Sequence, residues 1–158
     1  MSKRSREMLQ GMPVFGGISE QTLGFLLQLA DTHVVASDHY FFHEGDNATS
    51  MFVLEEGRAA VLKSRDGNEL EIDQLEQGDC FGEMALLDLY PRSCSIRAIG
   101  PCKVKEISQL SLFKLYEQDL EQFTIIQMNI GREISRRLRL SSEKLFQSHE
   151  TSSNTPAA

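Results

Sequence analysis

The sequence has few cysteines, no long hydrophobic run and no excess of basic residues, and each shortage argues against a class of protein. Cys80, Cys94 and Cys102 are odd in number and show no C-x-x-C spacing, so neither a disulfide framework nor a zinc site is indicated. No apolar run approaches the roughly 18 residues of a membrane helix, and the N-terminus lacks the apolar core of a secretory signal. We therefore expect a cytoplasmic protein with reduced, partly buried thiols and no membrane partner.

The charge balance argues against a general nucleic-acid-binding surface. The formal net charge is −7 at pH 7, whereas neutralising a phosphate backbone requires clustered Lys and Arg. An anionic ligand would need a local pocket of positive potential. The chain has 158 residues, 41% of them hydrophobic and 25% charged, which is typical of one globular domain with a single core and tails.

Apolar spacing divides the chain into helical, β and again helical parts. Residues 1–30 are predicted to form two short helices with a break at residues 16–19, and Ser19 is the expected N-cap of the second helix. Residues 31–108 consist of short apolar segments punctuated by glycine, with an Asp-Gly hairpin turn at residues 66–67. This pattern of short apolar segments and turns is typical of an antiparallel β-barrel or sandwich.

Helical spacing returns after Ser108, in a short segment and then in a long one from Asp119 to about Gln147. Six apolar residues of the long segment fall near one face at about 100° per residue: Phe123, Ile126, Ile130, Ile134, Leu138 and Leu145. We expect another surface to cover that face. Residues 148–158 are polar and are predicted to be disordered, and the chain shows no internal repeat.

Residues 81–98, FGEMALLDLYPRSCSIRA, place a carboxylate and an arginine inside an apolar run. Residues 82–87 are predicted to form one helical turn whose free N–H groups make an anion site, and Gly82 permits close approach to the backbone. Arg92 can bind the same anion in bidentate fashion. Glu83 would repel a phosphate, so we expect it to accept a hydrogen bond from a sugar hydroxyl. The ligand indicated is a phosphate fused to a ribose.

A structural alternative exists for this charged pair. Glu83 and Arg92 can instead form an internal salt bridge without any ligand, and buried pairs of that kind contribute little net stability.

The same stretch resembles the phosphate-binding cassette of the cyclic nucleotide-binding domain family. That family's pattern is Phe-Gly-Glu, a short apolar helix, then Pro-Arg, two small residues, Thr or Ser, and an aliphatic residue. The segments that match it here without a gap are Phe81, Gly82, Glu83, residues 84–87 and residues 91–96. Glycine-punctuated segments upstream also resemble the family's β-roll: residues 44–46, 51–57 and 74–79. The resemblance covers residues 12–147.

The resemblance implies a mainly β (α+β) fold in one domain. An eight-stranded, jelly-roll-like antiparallel β-roll over residues 31–108 would carry the cassette at residues 81–98. The N-terminal helices at residues 1–30 would flank it on one side. A hinge helix and a long lid helix at residues 109–147 would follow, and then the tail.

Roles for the cassette residues follow from the same resemblance. Glu83 would bind the ribose 2′-hydroxyl, while Arg92 and the N–H groups of Ala85 and its neighbours would hold the cyclic phosphate. Ser93 can reach the phosphate or a guanine amino group, and Cys94 replaces the family's usual alanine and would make the pocket thiol-sensitive. The predicted ligand-binding set is Phe81, Gly82, Glu83, Met84, Ala85, Arg92, Ser93 and Cys94.

Three residues outside the cassette are candidates for contacting the base. Asp73 aligns by spacing with a position near the purine and could favour guanine's N–H donors, although a solvated side chain is the commoner outcome on an edge strand. Arg132 and Arg136 are candidates for capping the base from the lid helix, with a solvated or paired helix face as the alternative. Arg137 projects near the apolar stripe.

The resemblance also implies a relay from the cassette to the C-terminal helices. Leu86 would repack against the hinge when the cassette helix shifts, and Phe113 is the best hinge candidate. In a protein without such a relay, Leu86 would be an ordinary core residue, as would Met84 and Leu87.

These residues predict reversible binding of a 3′,5′-cyclic nucleotide by a regulatory sensor, with cAMP slightly favoured over cGMP and no other cofactor. We find no catalytic constellation, so no enzyme and no catalytic residue is expected. No metal site is expected either, because a cupin-type metal enzyme needs a tighter His-x-His arrangement than the sequence offers: its candidate ligands are His33, His39, His43 and Glu44.

A second hypothesis is an interaction module that keeps the fold but binds no cyclic nucleotide. Its long helix would serve as the pairing surface of a homodimer or contact an unknown effector protein. A helix-turn-helix like that of the related bacterial transcription regulators would need several tens of residues after the long helix, so no nucleic-acid partner is expected.

Overall fold

The N-terminal part of the chain forms two α-helices separated by a short 3-10 turn. The structure, a computed structural model, describes residues 3–153. Helix α1 (Lys3–Gln10) is followed by the 3-10 turn (Pro13–Phe15) and by α2 (Glu20–Leu29). Ser19 Oγ accepts a hydrogen bond from the Thr22 N–H at 3.1 Å, which confirms the predicted N-cap.

Eight antiparallel strands in two four-stranded sheets make up the centre of the domain, as expected from the sequence. They are β1 (Asp31–Val35), β2 (Tyr40–Phe42), β3 (Ser50–Glu56), β4 (Ala59–Arg65), β5 (Asn68–Leu75), β6 (Cys80–Phe81), β7 (Ser95–Ala98) and β8 (Cys102–Ser108). One sheet has the order β1-β8-β3-β6 and the other β2-β7-β4-β5. Asp66 and Gly67 join β4 to β5 with positive φ angles of 52° and 78°, the requirement of a tight two-residue hairpin turn.

The core has two buried clusters that share strand β3. Phe52 and Leu54 face the interior of the roll, where they join residues such as Phe81 and Ile96. The alternate residues of β3 face the helices, where the second cluster includes Leu23, Leu26, Met51, Val53, Leu86, Ile107, Leu112, Leu115, Ile126 and Ile130. A strand buried on both faces reads as a continuous apolar run rather than an alternation.

Three helices complete the fold: α3 (Met84–Asp88), α4 (Gln109–Gln118) and α5 (Leu120–Ser153). The apolar stripe predicted on α5 divides in two. Ile126 and Ile130 are fully buried, whereas Leu138 and Leu145 are 67% and 61% exposed. No described helix combines the length and apolar character needed to cross a membrane.

The prediction of disorder from residue 148 is wrong for residues 148–153, because α5 continues to Ser153. Polar composition alone does not end a helix, and residues 148–153 contain neither glycine nor proline. Ser148 Oγ also donates to the Leu145 carbonyl at 2.7 Å. The rest of the predicted tail, residues 154–158, lies outside the described residues.

Candidate functional site

The cassette backbone leaves β6, turns at Gly82 and forms the five-residue helix α3 before it reaches β7. Gly82 has φ +75°, a conformation that L side chains rarely adopt, and a Cβ there would collide with Arg92 Nη1. Leu89 ends the helix in the left-handed region at φ 59°. Its N–H donates to the Ala85 carbonyl at 3.3 Å. The backbone thus holds the first turn of α3 next to the side chain of Arg92.

Arg92 is a buried cation held by neutral groups. Its Nη1 donates to the Gly82 carbonyl at 2.9 Å and its Nη2 to Ser50 Oγ at 3.4 Å. The guanidinium carbon lies 4.1 Å from the centroid of the Phe42 ring, a cation–π distance. Among the described residues, Nε is buried and has no hydrogen-bond partner. Arg92 therefore has a buried donor that no described group satisfies.

Glu83 is a buried carboxylate with one paired and one unpaired oxygen. It is 3% exposed, and its Oε1 accepts a hydrogen bond from Arg137 Nη1 at 2.7 Å. Its Oε2 has no partner within the described part of the chain. Burial raises the pKa of Glu83 above its usual value, and the nearby Arg137 charge opposes that rise. The structure thus pairs Glu83 with Arg137, and not with Arg92 as in the ligand-free alternative.

Arg137 is the arginine of α5 that contacts the cassette, a role that the sequence analysis missed. Besides Glu83, it donates from Nε to Glu133 Oε1 at 3.1 Å and from Nη2 to the Cys80 carbonyl. The position of Arg137 along the helix could have indicated this role. Arg137 lies seven residues after the fully buried Ile130 and falls on the same helix face. A charged residue on the buried face of a helix indicates a buried partner.

The other predicted cassette residues differ in exposure. Phe81 is buried and stacks on Phe52 with ring centroids 5.3 Å apart. Ala85 is also buried, Met84 is 44% exposed and Cys94 is partly buried. The carbonyl of Ser93 accepts a hydrogen bond from Lys63 Nζ at 2.7 Å, while its hydroxyl lies 3.9 Å from Met84 Sδ. Lys63 belongs to β4, so its hydrogen bond to Ser93 links the cassette to that strand. Lys63 also forms an ion pair with Glu44.

The three candidates for base contacts form hydrogen bonds with residues outside the cassette in this structure. Asp73 Oδ1 accepts from Lys144 Nζ at 3.2 Å, which joins β5 to the distal part of α5. Arg132 Nη1 donates to Asn129 Oδ1 at 3.1 Å. Arg136 binds both oxygens of Glu133, at 3.1 and 2.6 Å. Their roles toward a base stay predictions.

The two relay candidates have different surroundings. Leu86 is 9% exposed and belongs to the buried cluster that includes Leu112 and Leu115 of α4. Phe113, on the same helix, is 52% exposed and stacks on Tyr116, which in turn makes an edge contact with Phe123 of α5. Leu86 thus shares a buried cluster with residues of α4, and the relay role of both residues stays a prediction.

The histidines proposed for the cupin alternative make separate contacts. His33 Nε2 lies 2.7 Å from Glu106 Oε2, and His39 Nδ1 lies 3.1 Å from the Ser37 carbonyl. His43 stacks on Tyr40. Across residues 3–153, no group of three or more His, Cys, Asp or Glu side chains is arranged to hold a metal ion.

Comparison with known proteins identifies relatives that share this fold. The sequence matches the family model for the cyclic nucleotide-binding domain over residues 32–119. It is 32% identical over 129 residues to the cAMP-activated global transcriptional regulator CRP of Salmonella typhimurium, covering 80% of this chain and 60% of that protein. It is 35% identical over 72 residues to the cAMP-dependent protein kinase regulatory subunit of Mucor circinelloides, covering 46% and 17%.

A solved structure extends the match to almost every residue. The crystal structure of a cyclic nucleotide-binding domain from Methylobacillus flagellatus superposes with a TM-score of 0.82 at 20% identity, covering 99% of this chain and 85% of that one. At that identity the likeness shows the fold. The chain spans about 60% of the length of the bacterial regulator. Since the family model covers more than half of the sequence and includes the segment that holds Glu83 and Arg92, this chain belongs to the cyclic nucleotide-binding domain family.

Proposed function

We propose that the protein is a non-enzymatic regulatory sensor of the cytoplasm that binds a 3′,5′-cyclic nucleotide at residues 81–98, with cAMP favoured over cGMP. The observation that carries the proposal is a pair of buried groups that have no hydrogen-bond partner within residues 3–153: Arg92 Nε, a donor, and Glu83 Oε2, an acceptor. Buried polar groups in native proteins are nearly always hydrogen-bonded. A cyclic phosphate offers the acceptor that Arg92 lacks, and a ribose hydroxyl offers the donor that Glu83 lacks.

The preference for cAMP rests on two points. The bacterial relative is named as cAMP-activated, and the fungal one as a subunit of a cAMP-dependent kinase. Asp73, the acceptor that would favour guanine, accepts a hydrogen bond from Lys144. Ser93 is compatible with either base.

The proposed mechanism is a ligand-driven shift between two positions of α5. Arg137 joins that helix to Glu83, the same carboxylate that a ribose hydroxyl would contact. A ligand at Glu83 changes the groups that Arg137 meets, and Leu86 carries any shift of α3 into the cluster shared with α4. A ligand moves such an equilibrium only by its difference in affinity for the two positions.

The first test is calorimetric titration of refolded, nucleotide-free protein with cAMP and with cGMP. Arg92→Ala removes a charge-assisted contact, so affinity should fall at least about tenfold, or about 1.5–3 kcal/mol. Arg139→Ala, on the exposed side of α5, is the matched control and should leave affinity unchanged. The absence of heat with both nucleotides would contradict the proposal.

The second candidate function is the interaction module, and one observation favours it. Leu120, Leu138 and Leu145 of α5 are between 58% and 67% exposed and lie on one face of the helix. A homodimer through α5, or an effector protein, would cover them. The nucleotide titration separates this candidate from the sensor.

A further inference from the structure

Arg92 is connected to strand β8 by two successive hydrogen bonds. Its Nη2 donates to Ser50 Oγ at 3.4 Å, and Ser50 Oγ donates to Glu106 Oε1 at 2.6 Å. Ser50 is the first residue of β3 and is 5% exposed. Glu106 belongs to β8, the neighbour of β3 in the sheet. The pairing of β3 with β8 therefore connects the Glu106 carboxylate to the buried guanidinium through a single hydroxyl group, that of Ser50.

The direction of these bonds is fixed by the number of protons available. A serine hydroxyl has one proton and two lone pairs. Because that proton points to the Glu106 carboxylate, a lone pair is left for Arg92, and the hydroxyl cannot turn to donate elsewhere without losing a charge-assisted bond. Glu106 thereby keeps Ser50 in the acceptor orientation.

Glu106 is itself held from the other side. Its Oε2 lies 2.7 Å from His33 Nε2 of β1. Burial lowers the pKa of Arg92, and Glu106 opposes that effect more strongly than Asp46 or Glu83 does. These three carboxylates are the charged groups that act on Arg92 from the elements around it.

The hydrogen bonds of the Arg92 side chain use two of the five N–H donors of its guanidinium. The Gly82 carbonyl accepts a hydrogen bond from Nη1, Ser50 Oγ accepts one from Nη2, and the Phe42 ring covers one face of the guanidinium. The backbone is fixed as well, by hydrogen bonds of Arg92 to Asp46 and Gly45 at 2.9 and 2.8 Å. Among the donors that remain for a ligand is the buried Nε, which has no hydrogen-bond partner among the described residues.

We propose that Ser50 and Glu106 are positioning residues for the phosphate contact: acting through Arg92, they fix the plane of its guanidinium so that Nε is presented to the ligand. This inference rests on the proposed function. Neither residue needs to touch the nucleotide, and neither belongs to the segment 81–98 that resembles the family cassette.

The test uses four single variants of the protein, together with Arg92→Ala alone and combined with Ser50→Ala. Ser50→Ala removes the acceptor, Ser50→Thr keeps it, and Glu106→Gln keeps a hydrogen-bond acceptor but removes the charge. Glu56→Gln is the matched control, since Glu56 is an exposed carboxylate at the other end of β3. Thermal unfolding of each variant is recorded, so that affinity is compared only among folded proteins.

Two readouts are taken on each variant. In ligand-free protein, ¹⁵N NMR of the Arg92 side chain should show slow rotation about the Cζ–Nε bond in the parent, Ser50→Thr and Glu56→Gln. Rotation should be faster in Ser50→Ala. By calorimetry with cAMP, Ser50→Ala should bind about three- to tenfold more weakly than the parent, with Glu106→Gln intermediate and Ser50→Thr near the parent. In an Arg92→Ala background, Ser50→Ala should cost no further affinity.

The two readouts separate failure of the inference from failure of the proposed function. Unchanged Arg92 rotation in Ser50→Ala would overturn the inference whether or not the protein binds nucleotide. So would a loss of affinity that persists in full in the Arg92→Ala background. If the parent binds neither cAMP nor cGMP, the proposed function fails, and the rotation measurement alone then decides whether Ser50 and Glu106 orient Arg92.

Discussion

At the scale of single residues, two charges inside the domain are only partly compensated. Glu83 is 3% exposed with one of its two oxygens paired, and Arg92 is 7% exposed and hydrogen-bonded by neutral acceptors. Removing charges from water is costly unless hydrogen bonds replace the lost hydration. Glu83 should therefore respond measurably to pH, and both residues to substitution and to ligand.

Replacing Glu83 with Gln should change how stability depends on pH. Burial raises the pKa of Glu83 in the folded state, so its protonated form is favoured there. The contribution of Glu83 to the free energy of unfolding is fully present below the pKa that it has in the unfolded chain. This contribution is lost as the pH rises through the pKa that Glu83 has in the folded protein. The free energy of unfolding of the parent should accordingly fall relative to that of Glu83→Gln across this range. Urea unfolding of both proteins from about pH 4 to about pH 8 measures the difference.

The comparison with Glu83→Gln is needed because another carboxylate has the opposite trend. The Arg136 hydrogen bonds lower the pKa of Glu133, so its contribution to stability is lost as the pH falls. This effect is common to both proteins. A stability difference that stays constant, or that grows in favour of the parent with rising pH, would contradict the prediction.

Replacing Gly82 with Ala should damage both stability and binding. The positive φ costs an L residue about 1–2 kcal/mol, and the new Cβ would displace Arg92 Nη1. Gly67 is the matched control, with φ +78° and open space around its Cα. Gly67→Ala should cost similar stability but leave nucleotide affinity unchanged, whereas Gly82→Ala should bind at least about tenfold more weakly. Equal affinities of the two variants would show that Arg92 is not displaced.

At the scale of elements, the side chain of Arg137 joins α5 to the cassette. Arg137 contacts Glu83, Glu133 and the Cys80 carbonyl, and so connects α5 to both α3 and β6. Farther along α5, the exposed pair Lys144–Asp73 also contacts the roll, and exposed pairs contribute little. We therefore expect Arg137 to contribute to the position of the distal part of α5.

Replacing Arg137 with Met should loosen that part of α5 and leave Glu83 without its cation. We expect faster amide hydrogen exchange in α5 after residue 137 and a stability loss of about 1–3 kcal/mol. Arg139→Met, on the exposed side of the same helix, is the control. Exchange rates that match those of the control would contradict a connecting role for Arg137.

At the scale of the whole molecule, α5 presents apolar surface that the rest of the described chain does not cover. Leu138 and Leu145 are separated by two turns of the helix and are both more than 60% exposed. An exposed apolar row on a helix is typical of a pairing surface. The sensor and the interaction module both accommodate pairing, so oligomeric state and ligand binding must be measured separately.

Replacing Leu138 and Leu145 together with Lys should abolish pairing through α5. Sedimentation of the parent should then show a dimer and that of the double variant a monomer, with cAMP affinity per chain unchanged. Two exposed polar residues of the same helix, changed in Ser142→Lys and Gln147→Lys, provide the control. A monomeric parent at all accessible concentrations would exclude this surface as a homodimer interface.

Much of the candidate site could be predicted because it is continuous in sequence. Gly82, Glu83 and Arg92 lie within eleven residues of one another, and the geometry of one helical turn limits where their side chains can point. The eight strands were predictable for a similar reason, since β segments and their glycine turns are local patterns. The end of α5 was misjudged because polar composition was taken as a signal for disorder.

The sequence by itself determined the family, the β-roll and the residues of segment 81–98, since each depends on short-range spacing. Only the tertiary structure decided that Glu83 pairs with Arg137, 54 residues away, and that Arg92 contacts Ser50, 42 residues away. Such contacts depend on how strands and helices pack, and no local pattern encodes which buried charge meets which partner. The burial that makes these charges sensitive to a ligand is likewise a property of the assembled core.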